Sequence, residues 1–216
     1  MRSWNRVFAL MVLAASPGPA SADTLDEALA RFASIETYRV TLRSSETTGG
    51  AFREVIRYVY RKPGWVRMDF HRPYAGMVLI YSLEKKAVQL WPFGPSGPGF
   101  TLSPDNWLLS SAGKHRVDRS DIGALLDHVL QLRQQGVTEV LGEEPLNGRT
   151  ALHLRVVGRD HAEVDRVHRF DLWLDAAALM PLKVEARDRN GVPVDLVLMD
   201  DLELNLALPA EVFDRP

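Results

Sequence analysis

The amino-acid sequence predicts a mainly β protein of the α+β class, in which helices cover the concave face of one curled antiparallel sheet. Short segments rich in β-branched and aromatic residues recur along most of the chain, and turn residues separate them. Only two segments have apolar residues at helical spacing. Two helices are too few to cover both faces of so many strands, so a single curled sheet with the helices against one face is the simplest architecture.

The N-terminus has the features of a secretory signal peptide. Two arginines precede the apolar run 7–15, and the small residues of 17–22 end in an Ala-x-Ala pattern. The apolar run is shorter than the roughly 20 residues that a membrane-spanning helix requires. We therefore predict that residues 1–22 are removed and that the mature protein, residues 23–216, is a soluble single domain in the periplasm.

Composition excludes several classes of protein. Residues 1–22 contain two arginines and no acid, so the remaining 194 residues carry 24 cationic and 28 acidic side chains, a net charge of −4. A nucleic-acid partner is not expected at that charge. The chain has no cysteine, which excludes disulfides, thiolate chemistry, cysteine-based zinc sites and a lipid anchor on a cysteine.

Two segments predict helices. The first begins at Thr24 and Glu27, which have the spacing of a capping box. The second spans 120–135, with Ser120 as its N-cap and Gly136 as its stop. Each segment has one apolar face, which predicts packing on the sheet.

Ten further segments predict strands. They lie at residues 38–45, 53–61, 65–71, 77–82, 87–91, 137–141, 150–157, 164–174, 182–188 and 194–206. Asn147-Gly148 and Asn190-Gly191 are strong hairpin signals. The segment 92–99 contains three prolines and three glycines, which predicts a mobile loop. The sheet is expected to have about ten or eleven antiparallel strands.

Within the strand 65–70, apolar and polar side chains alternate. Its even-numbered residues are apolar and are expected to face the concave interior, where methionine adapts to irregular shapes. Arg67 and Asp69 are expected on the outer face, where they are able to pair with adjacent strands. An apolar concave face that helices fill imperfectly is a natural site for an apolar ligand.

Candidate catalytic and metal-binding groups are few. The chain has no Gly-x-Ser-x-Gly elbow, and His115, near Asp118 and Asp121, is interpreted as part of a solvated turn. The polar segment 159–168 with Asp171 is interpreted as an exposed charged edge rather than a metal site, because its side chains alternate between two faces of a strand. We predict no catalytic residue, no metal and no cofactor. A hydrolase acting through these groups is the least favoured reading, since a nucleophile is missing.

The segments 32–38, 60–73, 175–185 and 208–213 together resemble a known family. They are similar to the periplasmic lipoprotein-carrier superfamily of LolA and LolB, and the similarity covers nearly the whole mature chain. The segments 79–81, 91–94 and 115–118 are most similar to an uncharacterised LolA-like branch, whose members are usually described as outer-membrane lipoprotein-sorting proteins.

This resemblance implies a half-open β-barrel lidded by helices, with an apolar interior that holds lipoprotein acyl chains. The candidate lining residues are Leu29, Phe32, Val40, Leu42, Met68, Phe70, Leu79, Tyr81, Leu125 and Val129. In the carriers, an arginine immediately before the proline of the strand-turn motif bonds to the lid. Here Lys62 takes that position and Arg61 precedes it, so the latch is altered, since lysine lacks the planar fork of arginine.

Two functions follow from the resemblance. The first is a monomeric periplasmic carrier that exchanges lipid or lipoprotein acyl chains with a membrane-bound donor or acceptor protein. The second is a sensing or regulatory module, because the fold also resembles periplasmic regulators that bind a membrane anti-sigma factor. Such regulators usually carry a second C-terminal domain, whereas one domain is predicted here.

Overall fold

The computed structural model describes residues 20–45, 51–106, 109 and 117–214. Most of the predicted signal peptide and His115 lie outside these residues. Within them, eleven strands form one antiparallel sheet that curls but does not close. The strands are β1 (Thr37–Ser45), β2 (Glu54–Arg61), β3 (Trp65–Arg72), β4 (Val78–Ser82), β5 (Ala87–Trp91), β6 (Phe100–Leu102), β7 (Gly136–Leu146), β8 (Arg149–Gly158), β9 (Arg169–Asp175), β10 (Pro181–Arg187) and β11 (Pro193–Leu204).

The order of strands across the sheet is β6-β5-β4-β3-β2-β1-β11-β10-β9-β8-β7. Strands that follow each other in sequence are therefore neighbours in the sheet on either side of the β1–β11 pair, which joins the two halves. In the described part of the chain, β6 and β7 form the edges. Edge strand β7 contains Pro145 and a bulge between Val140 and Gly142, features that discourage further strand pairing. The predicted fold class and the number of strands are confirmed.

Two α-helices, α1 (Ala20–Ala33) and α2 (Ile122–Gln134), pack against the concave face. Helix α1 begins before Thr24, so the prediction that the capping box starts it is wrong; the alanine-rich residues upstream favour helix strongly. The N-cap of α2 is Asp121 and not Ser120. The Asp121 carboxylate accepts hydrogen bonds from the backbone N–H groups of Gly123 (2.7 Å) and Ala124 (3.3 Å), which satisfies two donors of the first turn.

Gly136 joins α2 directly to β7. A Cβ atom at this position would lie 2.4 Å from the Val157 carbonyl oxygen and 2.8 Å from that of Leu132. Only glycine permits the helix end and β8 to approach so closely without a shift of the backbone. The predicted helix stop at Gly136 is therefore confirmed.

Three strands differ most from the prediction. Strand β7 continues to Leu146, five residues beyond its predicted end at residue 141. Strand β6 was missed because it has three residues and follows the segment rich in proline and glycine. Strand β9 begins at Arg169 and not at residue 164, because Asp165 and Arg166 have φ angles of 49° and 68°. These two residues form a turn in which Val164 and Val167 exchange backbone hydrogen bonds of 2.9 Å.

Strand β3 separates the two faces of the sheet as its alternation predicts. Its even-numbered residues, Val66, Met68 and Phe70, belong to the large concave core that includes both helices. On the outer face, the Trp65 ring lies 5.8 Å from the ring of Phe213, whose short 3-10 helix (Ala210–Phe213) covers part of that face. Arg67 pairs with Asp69 of its own strand at 2.8 Å.

Candidate functional site

The ten candidate lining residues lie together in the concave core. Six of them are buried in it, namely Val40, Met68, Phe70, Leu79, Tyr81 and Val129. The other four are partly buried and pack against the same core, namely Leu29, Phe32, Leu42 and Leu125. The structure thus brings all ten into one core, with four of them on α1 and α2 and six on the sheet, and their role as a ligand-binding surface stays a prediction.

The concave core is packed in this conformation. Two surface depressions lie along β7, β8, β10 and β11, and one of them reaches Met199 of the concave core, which pairs with Leu42 across β1 and β11. One is lined by Leu146, Asn147, Arg149, Leu182, Met199, Asp200, Asp201 and Leu202. Because the candidate residues contact one another, an acyl chain that enters among them must displace side chains or lift a helix from the sheet.

Two buried tyrosines hold the N-terminus of α2 against the sheet. The Tyr38 hydroxyl accepts a hydrogen bond from the backbone N–H of Ile122 at 3.1 Å. The hydroxyls of Tyr58 and Ser120 lie 3.1 Å apart, and Ser120 donates its proton to the Val117 carbonyl at 2.8 Å. Tyr58 is therefore the donor to Ser120. Sequence reasoning missed both tyrosines because strand register, and not spacing, places them beneath the helix.

Burial keeps these tyrosines in the neutral form. It raises the pKa values of Tyr38 and Tyr58 well above the ordinary value of 10.0, and it raises the pKa of Tyr60 to about 12. The Tyr38 ring stacks between those of Tyr58 and Tyr60, with centroid distances of 5.8 Å and 5.0 Å. The cluster therefore acts as a neutral, rigid support for α2 over the physiological pH range.

Replacing Tyr38 by Phe should lower the free energy of unfolding by about 1–2 kcal/mol, because a buried N–H at the start of α2 loses its acceptor. We also expect faster amide hydrogen exchange in the first turn of α2 than in its last turn. Tyr60→Phe is the matched control, since it leaves the ring stack and the Ile122 hydrogen bond in place. Equal effects of the two variants on exchange in α2 would contradict this role of Tyr38.

Of the two predicted latch residues, Lys62 reaches a helix. Its ammonium group donates a hydrogen bond to the carbonyl of Ala33, the last residue of α1, and lies 3.7 Å from the Glu36 carboxylate. A cation at this end of a helix is favourable because the helix dipole is negative there. Arg61 lies instead on the outer face, where its guanidinium stacks over the ring of Phe213 at 4.6 Å. Strand alternation explains this, since the neighbouring Tyr60 faces inward.

The two helices are also joined to each other. Arg133 of α2 pairs with Asp26 of α1 at 2.7 Å. Gly123 of α2 faces the Phe32 ring so closely that a Cβ atom there would lie 2.6 Å from it. Helices α1 and α2 therefore form one cover over the concave face. Lys62 attaches the C-terminus of α1 to the sheet, and the tyrosines attach the adjacent N-terminus of α2.

Asp171 is buried, whereas the sequence predicted that it lies on an exposed charged edge. Although neighbouring residues such as Asp160 and Asp165 are exposed, Asp171 on the outer face of β9 is only 1% exposed. Its carboxylate lies 3.1 Å from His153, 2.8 Å from Arg155 and 2.7 Å from Arg169. Burial alone would raise its pKa, but the hydrogen bonds from Arg155 and His153 and the charges of the arginines outweigh burial, so the pKa is lowered.

This charged cluster is structural in character. Among the described residues, no group of three or more histidine and carboxylate side chains is arranged to hold a metal ion. A carboxylate beside two guanidinium groups is a poor general base, since its proton affinity is reduced. The cluster instead ties β8 to β9 on the outer face.

The sequence matches no protein-family model and no curated protein. Its fold, in contrast, has many solved counterparts. The lipoprotein LppX of Mycobacterium tuberculosis superimposes with a TM-score of 0.56, at 11% identity, over 88% of this chain and 98% of its own. MucB superimposes with a TM-score of 0.53, at 21% identity, over 92% of this chain and 64% of its own. A LolA superfamily protein from Nitrosomonas europaea superimposes with a TM-score of 0.38, at 14% identity, over 89% and 96%.

The chain has a LolA-like fold. The similarity to LppX spans almost the whole length of both proteins, and the prediction of this fold from the sequence is thereby confirmed. The chain covers less than two thirds of MucB. At these identities the likeness concerns the fold alone.

Proposed function

We propose that this protein is a periplasmic carrier that binds lipid or lipoprotein acyl chains between its concave sheet and the helices α1 and α2, for transfer toward the outer membrane. The observation that carries the proposal is the continuous apolar core under these helices, in a sheet that does not close. Leu29, Leu42 and Leu125 lie at the margin of that core and are only partly buried, so a ligand meets them first. LppX, which shares the fold, is itself described as a lipoprotein.

The energetics of an acyl chain favour this reading. Each methylene that leaves water contributes about 0.8 kcal/mol, so a typical acyl chain supplies on the order of 10 kcal/mol. That is comparable with the free energy that docks one short helix on a core through a few buried side chains. Binding of one acyl chain is therefore able to compensate for the contacts that α2 loses if it moves off the sheet.

Export and a single mature domain, residues 23–216, belong to the proposal. They rest on the signal-peptide pattern of the first 22 residues. None of the helices in the described ranges is long and apolar enough to cross a membrane. Donor and acceptor proteins in the flanking membranes are the partners that such a monomeric carrier requires.

Native mass spectrometry of the protein, exported with its own N-terminal segment and purified without detergent, tests the proposal. We expect an adduct that organic solvent extracts as phospholipid or acylated peptide. A clean mass of the protein alone, together with no response to a fluorescent fatty-acid probe, would mean that the concave face serves only as a core.

Replacing Leu125 by Glu should abolish the adduct while the sheet stays folded, because a charge at the margin of the core opposes an acyl chain but remains close to water. Met68→Glu should abolish it too, at a larger loss of stability, since Met68 is buried. Leu83→Glu, at an exposed position of the β4–β5 hairpin, is the matched control and should keep the adduct. Unchanged lipid content in Leu125→Glu would refute the proposed site.

A regulatory protein-binding module is the alternative function. The similarity to MucB favours it, because a MucB structure with a TM-score of 0.50 contains MucA(peri) as a partner. The module would bind the periplasmic segment of a transmembrane protein. A stable transmembrane partner in a pull-down, from a preparation with no bound lipid, would select this alternative over the carrier.

A further inference from the structure

Three exposed aromatic side chains lie at one end of the sheet, where β3 turns into β4 and β5 into β6. Phe93 is 79% exposed, Phe100 48% and Tyr74 45%. We call these three residues the aromatic tip. Single exposed apolar side chains are common, but three aromatic rings exposed at the same end of one sheet suggest an interaction surface.

The two connections that carry the tip are packed against each other. Gly94, at a φ angle of 85°, is buried, and a Cβ atom there would lie 3.2 Å from the carbonyl oxygen of Gly76 in the other connection. Backbone N–H groups of Gly94 and Gly97 donate to the carbonyls of Trp91 and Gly94, at 3.3 Å and 3.0 Å. The exposure of Phe93 is therefore built into a defined pair of turns.

The tip is continuous with the concave core. The Tyr74 ring meets the ring of Phe70 edge-on at 6.5 Å, and Phe70 is one of the candidate lining residues. The backbone of Phe70 exchanges hydrogen bonds of 2.9 Å with Met77 and Gly76, and Met77 is buried in the concave core. An apolar contact thus connects Tyr74 of the tip with the interior.

His71 and Arg72 are exposed beside the tip. The two segments that carry the tip, 70–82 and 87–104, contain an arginine and no acidic residue. This absence is notable in a chain that has more acidic than basic side chains. Aromatic rings next to a cation, at protruding turns, match the chemistry of a bilayer interface, where rings insert among headgroups and cations meet lipid phosphates.

We propose that the aromatic tip docks on the surface of a bilayer that contains anionic phospholipid and so places the concave core next to the membrane. The purpose of this docking rests on the proposed carrier function, whereas the docking itself does not. The rings stand on two separate turns and do not line a groove, which favours a lipid surface over a folded protein as the occupant.

Flotation with vesicles tests the docking. The wild-type protein should float with vesicles of phosphatidylethanolamine and phosphatidylglycerol, and less with vesicles of phosphatidylcholine alone. The double variant Phe93→Ser, Phe100→Ser should bind the anionic vesicles at least about tenfold more weakly, and Arg72→Glu should remove the preference for anionic lipid. Leu83→Ser, exposed at the opposite end of the sheet, and Val192→Ser, exposed in the β10–β11 hairpin, are controls that should bind as the wild type does.

Failure of the docking and failure of the carrier are separable. Wild-type protein that ignores anionic vesicles, or a double variant that binds them undiminished, would overturn the docking, and the first result would assign the tip to a protein partner. A lipid adduct in native mass spectrometry would still support the carrier in that case. Vesicle binding that depends on Phe93 and Phe100, in a protein that never carries lipid, would support the docking and refute the carrier.

Discussion

Replacing Asp171 by Ala should lower the free energy of unfolding at neutral pH by about 3–5 kcal/mol. The carboxylate is buried and compensates Arg155 and Arg169, each of which is only about a third exposed. Removing it leaves two close guanidinium groups in a partly desolvated place, with His153 stacked on Trp173 beside them at 4.1 Å. Equilibrium denaturation in urea measures the loss.

The effect of Asp171 should depend on pH in a defined direction. Because its pKa in the folded protein is lower than the ordinary value of 3.8, its charge stabilises the fold at pH values above that ordinary value. The contribution is lost as the pH falls through the lower, folded-state pKa. The difference in stability between wild type and Asp171→Ala should therefore be constant near neutral pH and shrink below about pH 4.

Glu203→Ala is the matched control for Asp171. Glu203 also pairs with an arginine on the outer face, Arg39, but its side chain is 50% exposed. An exposed ion pair contributes at most about 1 kcal/mol. A loss of similar size in both variants would show that burial of Asp171 does not determine its contribution.

Asp171 also shows where the sequence stops being informative. The alternation of apolar and polar residues predicted both faces of β3 correctly, because side-chain direction in a strand depends only on position. The burial of Asp171 depends on register, since β8 and β9 pair so that Arg155 lies opposite it. Register between strands is not visible in the spacing of residues along one strand.

Prediction of the candidate site from the sequence is limited in the same way, because contacts between elements are not visible in residue spacing. The ten candidate residues lie in or against one core, as apolar periodicity leads one to expect for the inward face of each element, and their role in ligand binding stays a prediction. The support of α2 was not foreseen: Ser120, predicted as the N-cap, bonds to Tyr58 instead, and Asp121 caps the helix. A hydroxyl close to a helix start is able to cap the helix or to bond to another element. Here the Ser120 hydroxyl bonds to Tyr58, which lies more than 60 positions earlier in the chain.

Replacing Leu126 by Ala should lower the free energy of unfolding by about 2–5 kcal/mol and, at the same time, tighten the binding of a fluorescent fatty-acid probe. Leu126 is fully buried on the inward face of α2, so the substitution removes transfer free energy and leaves a cavity. If uptake requires α2 to leave the sheet, the same loss raises the population of the open, binding-competent state. The apparent affinity then rises in proportion to that population.

The outer face supplies the control for Leu126. Ile80→Ala removes an equally buried side chain, 1% exposed, from the separate cluster around Phe213, where neither α1 nor α2 lies. It should destabilise the protein by a comparable amount without tightening probe binding. A gain of affinity in both variants would mean that the probe binds unfolded or loosened protein in general. A gain only in Leu126→Ala would identify the packing of α2 on the sheet as the barrier that an acyl chain overcomes.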